Sequence, residues 1–439
     1  MSMLPGCEPT APKATLEPAP AAPRLREADR TQLCLRPVDL ESLLPEDHRA
    51  RSVWAYVEGL DLTPLYQEIA AVDGTAGRPA TDPKLLLALW LYATVDGVGS
   101  ARALGRLCTT HVAYQWLCGG VPMNYHTLAD FRTAHGGVLD TLLTRSVATL
   151  MAAGCVTLAR VAQDGVRVRA SAGAASFRRR QTLEQCLAEA TAQVQALRTE
   201  VDAAPGATTA RQQAARERAV RERHARVAQA LAHLPALEAK KPPADRTNAR
   251  VSTTDPEARV MKMADGGYRP AYNVQFATDT GAQVIVGVDA ISTGSDCGQL
   301  APMVDQVEAR HGQAPAATLV DGGFATKEDI AAVSARTTVY APVQRPKDPT
   351  RDPHAPLSMD LPAVAAWRVR MGTPEAQAIY KDRAATAECV NAIARTRGLR
   401  QLPVRGLAKV RVLALWYALA HNLMRAITLG VVGGGLPQG

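Results

Sequence analysis

A chain of 439 residues, 47% of them hydrophobic, can bury a large core, and its length suits about two or three domains. The formal charge of +8 and pI near 9.1 suit a polyanionic partner. The cysteines (Cys7, Cys34, Cys108, Cys118, Cys155, Cys186, Cys297, Cys389) form no Cys-x-x-Cys pair, so neither a zinc knuckle nor a redox motif is indicated, and reduced thiols in the cytoplasm fit.

Residues 1–34, Pro- and Ala-rich without an apolar core, carry no secretory signal and are expected to form a disordered tail. Residues 35–154 read as helical throughout, with apolar runs Leu85 to Tyr92, Leu104 to Cys108 and Val112 to Leu117 separated by Gly97-Val98-Gly99-Ser100 and Thr109-Thr110. Short helices with tight turns suggest a helix-turn-helix, in which Arg78, Lys84, Arg102, Arg106, His111, Gln115, Asn124, His126 and Arg132 could meet phosphates or base edges. The competing reading is a bundle that packs on the rest of the chain.

From 155 to 430 the pattern becomes mixed. Val156 to Val161 runs into Asp164-Gly165-Val166-Arg167-Val168-Arg169, whose period-two alternation predicts a strand with one wet face. Residues 176–245 then predict a helical hairpin insertion. Leu183, Leu187, Ala190, Val194, Leu197 and Val201 keep heptad-like spacing, Pro205-Gly206 breaks the run, and the returning arm carries Arg211, Arg216, Arg218, Arg221, Arg223 and Arg226. That arm suits DNA or a second subunit, or else a solvated arm paired with Glu217 and Glu222. Tyr272 to Asp279 and Ala282 to Ile291 alternate as two strands around an Asp279-Thr280-Gly281 turn. A helix over Gly298 to His311 follows, then a strand Ala317 to Val320 ending at Asp321-Gly322-Gly323, a helix Lys327 to Ala335 and a strand Thr338 to Val343. Residues 344–373 predict a Pro-rich loop insertion over the active site, and Pro374 to Thr396 a helix bearing Glu388. Leu407 to Val432 is apolar, but Lys409, Arg411, His421, Asn422 and Arg425 interrupt it as in an amphipathic closing helix rather than a membrane span. His421 is expected to be a hydrogen-bonded histidine on that helix, and 431–439 a flexible tail.

The order β-β-β-α-β-α-β, then an acid-bearing helix, is that of an RNase H-like nuclease core. The fold class is thus α/β, a mixed five-stranded sheet with helices, behind an all-α N-terminal domain. In such a core Asp164, Asp321 and Glu388 stand where metal ligands belong. Carboxylates from separate elements can hold two Mg²⁺ or Mn²⁺ ions about 3.5–4 Å apart for phosphodiester cleavage, and the lack of clustered His or Cys ligands argues against zinc. Taken singly, each aspartate beside a glycine also reads as a turn residue, and Asp289, at the end of Val284 to Val288, rivals Asp164. Lys381, Glu388 and Arg395 line up at seven-residue spacing, with Ala384, Ala385, Asn391 and Ala392 on the same face, which could admit a phosphate backbone. No Walker A or His-Glu-x-x-His sequence occurs.

From about Leu35 to Leu429 the chain resembles bacterial insertion-sequence transposases of the DDE class, in the branch with a helical N-terminal domain. The resemblance lies in Gly77-Arg78-Pro79 through Trp90-Leu91-Tyr92, Trp116 to Gly120, Asn124 to Leu128 with Asp130-Phe131-Arg132, Thr254 to Arg259 and Tyr272-Asn273-Val274-Gln275. Its C-terminal part comprises Tyr380 to Arg383, Ala387 to Asn391, Val404 to Leu407 and Ala420 to Leu423. It implies Asp164, Asp321 and Glu388 as the catalytic acids and metal ligands, which settles the rivalry with Asp289. Tyr380, Arg383, Glu388 and Arg395 match a Tyr, Arg, Glu, Lys signature, but Arg383 to Glu388 is one residue longer than the commonest spacing. On an ideal α-helix that offset turns Arg383 about 140° from Glu388, making Arg395 the expected phosphate contact and Arg383 a secondary one. Lys381, Tyr380, Arg405, Arg102 and Arg106 complete the expected DNA-binding set. The implied protein binds the terminal inverted repeats of its element and its target DNA, as a homodimer on DNA, in the bacterial cytoplasm with no membrane partner. The alternative is a catalytically silent DNA-binding protein derived from a transposase.

Overall fold

The computed structural model describes residues 39–71, 79–203, 209–346, 348 and 350–432. The expected tail 1–34, residues 433–439 of the other tail, Gly77-Arg78 and Pro205-Gly206 lie outside them.

Seven helices come first: α1 (Arg49–Glu58), α2 (Thr63–Gln67), α3 (Pro83–Val95), α4 (Ala101–Thr110), α5 (Val112–Cys118), α6 (Tyr125–Ala134) and α7 (Gly136–Ala152). Side-chain caps set the starts of most of them, though not of α2 or α7. Asp82 accepts from Lys84 N with Pro83 at the first helical position, Ser100 caps α4, and Asn124 accepts from His126 N at the head of α6. Helix α3 is apolar nearly all round because it is buried nearly all round. Arg132 does not belong among the phosphate-facing residues: it is buried, its guanidinium lies 4.6 Å above the Trp90 ring, and it donates to Gly99 O.

The sheet follows. Strand β1 (Arg160–Arg169) is joined to β2 (Phe177–Arg178), which leads into the hairpin α8 (Arg180–Ala203) and α9 (Ala210–Ala239) and back through β3 (Val251–Ser252). Four arginines of α9 find acids within the hairpin: Arg216 pairs with Glu200, Arg221 with Glu217, Arg223 with Glu189 and Arg226 with Glu222. Strands β4 (Arg259–Lys262), β5 (Tyr268–Asp279) and β6 (Ile285–Ile291) precede α10 (Leu300–His311), β7 (Ala317–Leu319), α11 (Lys327–Val333) and β8 (Thr338–Tyr340). Antiparallel β4 and β6 share one edge of β5, β1 takes the other edge, and β7 and β8 continue the sheet in parallel. The sheet has 6 strands, the short β4 adding to the five expected.

The stretch expected as a loop, 344–373, contains a helix, α12 (Pro362–Met371), because Val364, Trp367 and Met371 recur on one face and bury against α11 and β8. Helix α13 (Pro374–Arg383) runs through a five-residue π turn (Ala384–Glu388) into α14 (Cys389–Thr396), and α15 (Leu407–Thr428) closes the fold. Helix α15 is fixed at both ends by side chains that act on backbone. At its head Asp255 accepts from Gly406 N and Glu257 from Leu407 N, carboxylates at a helix N-terminus. Further along, Asn422 bonds both N–H and C=O of Ile285, and His421 Nε2 lies 2.7 Å from Gln283 O, as expected of a packed histidine. Among the described residues no helix is long and apolar enough to cross a membrane. One apolar core joins residues of the first helices to Val166, Val168, Tyr272 and Val274 of the sheet and to α15.

Candidate active site

The parallel register of β1 and β7 pairs Ala162 with Leu319. Continued two residues, it brings Asp164 level with Asp321, just past the end of β7. Directly opposed residues on antiparallel strands share a face. Asp164, opposite Phe276, therefore leaves the sheet with Val166 and Val168, whereas Gly165 and Arg167 share the other face with Gln275 and Asn273. Over the Asp164 face crosses the α13–α14 helix, anchored by Ala387, which packs with Ala162, Ala317 and Leu319.

The π turn decides what that helix presents. It carries i→i+5 bonding and advances fewer degrees per residue than an α-helix. The extra residue between Arg383 and Glu388 lies within it, and the two side chains part: Arg383 faces the strands and Glu388 is exposed. Arg383 is the side chain brought to the acids, with Nη2 3.2 Å from Asp164 Oδ1 and 3.7 Å from Asp321 Oδ2. Asn391, expected only as a small neighbour of Glu388, donates from Nδ2 to Asp164 Oδ2 at 2.9 Å and is itself buried. Burial pushes the Asp164 carboxyl above its ordinary value; the Arg383 guanidinium and the Gly165 N–H pull it back, while the charges of Asp321 and Asp296 push it further up. Tyr380 is half-buried, and its phenol is raised by burial in the same field of Arg383, Asp321 and Asp164.

Asp296, just ahead of α10, is a carboxylate the sequence did not single out. Its Oδ1 accepts from Asn273 Nδ2 and Gln275 Nε2, both at 2.7 Å, and Arg167, anchored on Gly294 O, lies 3.5 Å from its Oδ2. The signal was there in Tyr272-Asn273-Val274-Gln275, two amides on alternate positions of an otherwise apolar strand, which need a buried partner. Asp289, the other candidate, pairs with Arg411 of α15.

Glu388 ends the π turn with its side chain exposed. Among the described residues, no three His, Cys, Asp or Glu side chains are gathered to hold a metal ion. Two of the three expected acids therefore converge, and the third stands on the helix above without joining them. The pair does fit a hard divalent cation: it offers carboxylate oxygens only, and two of them already converge on one cationic nitrogen. Of the expected DNA-binding residues, Lys381 and Arg395 are exposed on the same helix, and Arg405 is exposed with its Nε on Ser171 O. Arg102 and Arg106 stand on the exposed side of α4, Arg102 over Tyr125.

Residues 38–134 match the model of a transposase domain (DUF772), and residues 361–427 match that of a transposase DDE domain. Both matched models are transposase domains. Taken together they support an insertion-sequence DDE transposase. The second match spans Tyr380, Arg383, Glu388 and Asn391, whereas Asp164 and Asp321 lie between the two matched stretches. No curated protein and no solved structure is significantly similar to the chain.

Proposed function

We propose that this transposase binds the terminal inverted repeats of its insertion sequence and catalyses metal-dependent strand cleavage and strand transfer from an RNase H-like core. The observation that carries the reading is the convergence of Asp164 and Asp321 beneath the helix that bears Glu388. The sheet order β6-β5-β1-β7-β8 supports the RNase H-like assignment. Two Mg²⁺ or Mn²⁺ ions, when bound, supply activation of the attacking oxygen and charge stabilisation of the leaving one. Asp164, Asp321 and Glu388 are the residues assigned to hold them. Asn391 orients Asp164, and the exposed cations Lys381, Arg395 and Arg405, with Tyr380 and Arg383, are assigned to DNA. Arg102 and Arg106 of the helical region are assigned to end recognition, and the working form is a dimer on DNA in the bacterial cytoplasm.

The test is incubation of purified protein with Mg²⁺ or Mn²⁺ and labelled DNA carrying the ends of the flanking element. Wild type should cut at the element boundary, whereas Asp164→Asn, Asp321→Ala and Glu388→Gln should bind the ends without cutting. End binding without cleavage by wild type would favour the silent DNA-binding protein, and cleavage untouched by all three substitutions would place the chemistry elsewhere.

A further inference from the structure

Two carboxylates held level on adjoining strands repel, and in this chain an arginine sits between them. The Arg383 side chain is only 12% exposed, and one of its nitrogens reaches both Asp164 and Asp321. The remaining oxygen of Asp164 is taken by Asn391. Arg383 Nε, also buried, has no acceptor among the described residues. The guanidinium is thus well placed to neutralise the pair and poorly satisfied in its own hydrogen bonding. Burying a donor without a partner costs roughly 1–3 kcal/mol.

A divalent ion bound by Asp164 and Asp321 would compete for the oxygens Arg383 faces and would meet a like charge beside it. Metal entry therefore requires the guanidinium to leave, and leaving costs least when another anion receives it. A phosphodiester is such an anion: the planar fork of an arginine suits phosphate oxygens bidentately, and Nε is the donor still free to join that fork. Tyr380 stands in the field of Arg383, and the same helix carries further exposed cations, Lys381 and Arg395.

We propose that Arg383 is a counter-ion latch: it keeps the Asp164–Asp321 pair closed to divalent cations until a DNA phosphate draws its guanidinium away. This rests on the reading of Asp164 and Asp321 as the metal-holding pair. It makes metal and DNA binding positively coupled, and the coupling must be reciprocal.

The experiment counts Mn²⁺ bound to the full chain by electron paramagnetic resonance, without DNA. Arg383→Gln should bind Mn²⁺ about tenfold more tightly than wild type, a difference of about 1.4 kcal/mol, and adding Asp321→Asn should abolish the gain. Where Arg383→Gln fails to fold, Arg383→Met, which keeps the apolar stem, takes its place. In a second arm, Mn²⁺ should strengthen binding of a fluorescent phosphorothioate duplex to wild type, and this strengthening should shrink in the Arg383 variant. An Arg383 variant that binds Mn²⁺ no better than wild type, while Asp321→Asn still weakens binding, would overturn the latch and leave the acid pair standing. Mn²⁺ binding indifferent to both Asp164→Asn and Asp321→Asn would overturn the metal-site reading and the latch with it.

Discussion

Replacing Gly165 by alanine should damage the site from behind. A Cβ at this position would overlap the Gln275 amide nitrogen and fall 2.5 Å from both Asn273 Oδ1 and Asp296 Oδ1. These are the ends of long side chains, but they are not free to swing: Asn273 and Gln275 are essentially fully buried, and both donate to Asp296. Relief of the overlap must break or lengthen at least one hydrogen bond to a carboxylate, worth about 1.5–3 kcal/mol, and overpacking a dense interior costs about 1–3 kcal/mol. The gain from restricting the unfolded chain is below about 1 kcal/mol. The net expectation is a loss of about 2–4 kcal/mol, read as a fall in melting temperature of roughly 2–4 °C for a chain of this length. Because Asp164 is the next residue and its Oδ1 accepts from Gly165 N, cleavage should fall as well. A second substitution, Gln275→Ala, should recover part of the loss by emptying the space. An unchanged melting temperature for Gly165→Ala, with no coupling to Gln275→Ala, would refute the idea that the polar cluster is rigid.

Further substitutions test other parts of the structure. Asn391→Ala removes the donor on Asp164 Oδ2 and should lower single-turnover cleavage about 10–100-fold, while mobility-shift assays with end DNA remain near wild type. Asn422→Leu leaves both polar groups of Ile285 buried and unpaired and should cost about 2–4 kcal/mol in thermal unfolding; a cost under about 1 kcal/mol would mean that water reaches the strand. Burial lowers the His421 imidazole to about 4, below the value of about 6.5 expected in the unfolded chain. The folded state therefore resists protonation: the stability from a neutral His421 is complete above about pH 6.5 and lost as pH falls towards 4, a span of about 3 kcal/mol. His421→Gln, whose amide can still donate to Gln283 O, should show a shallower fall in melting temperature between pH 7 and 5 than wild type; parallel profiles would show that His421 does not titrate in that window.

Most of the framework could be read from period and punctuation. The alternation of Val166 and Val168 with Arg167 and Arg169 gave a strand with one wet face, and Asp279-Thr280-Gly281 gave the turn between β5 and β6, closed by the Asp279 carboxylate accepting from Ala282 N. The Asp-Gly pair at 164–165 was ambiguous because the same dipeptide serves turns; here it lies inside a strand, and the glycine answers side chains 110 residues away that share its face. Asp296 and Asn391 gave no local signal as site residues, since what marks them is contact across the sheet and across the fold. Helical arithmetic set Arg383 apart from Glu388, but it carries no information on which of the two meets the strands, and in the structure Arg383 does.

The inserted residue also bears on how the chemistry is assembled. An α-helical path from Arg383 to Glu388 would have forced a choice between them, because only one could face the strands. In the structure Arg383, which ends α13, faces them, while Glu388, which closes the five-residue π turn, is exposed. Regularising the helix therefore tests this directly. Deleting Ala385 restores the commonest spacing by shortening the turn, and it should convert the π segment to α-helix and bring Arg383 and Glu388 to about 40° apart, on one shared face. Such a deletion should leave melting temperature within a few degrees of wild type and retain cleavage, because the register of Ala387 on Ala162 and Leu319 is kept from the C-terminal side. Loss of cleavage in a folded deletion variant would instead mean that the π geometry itself, and not the shared face, is what the site requires.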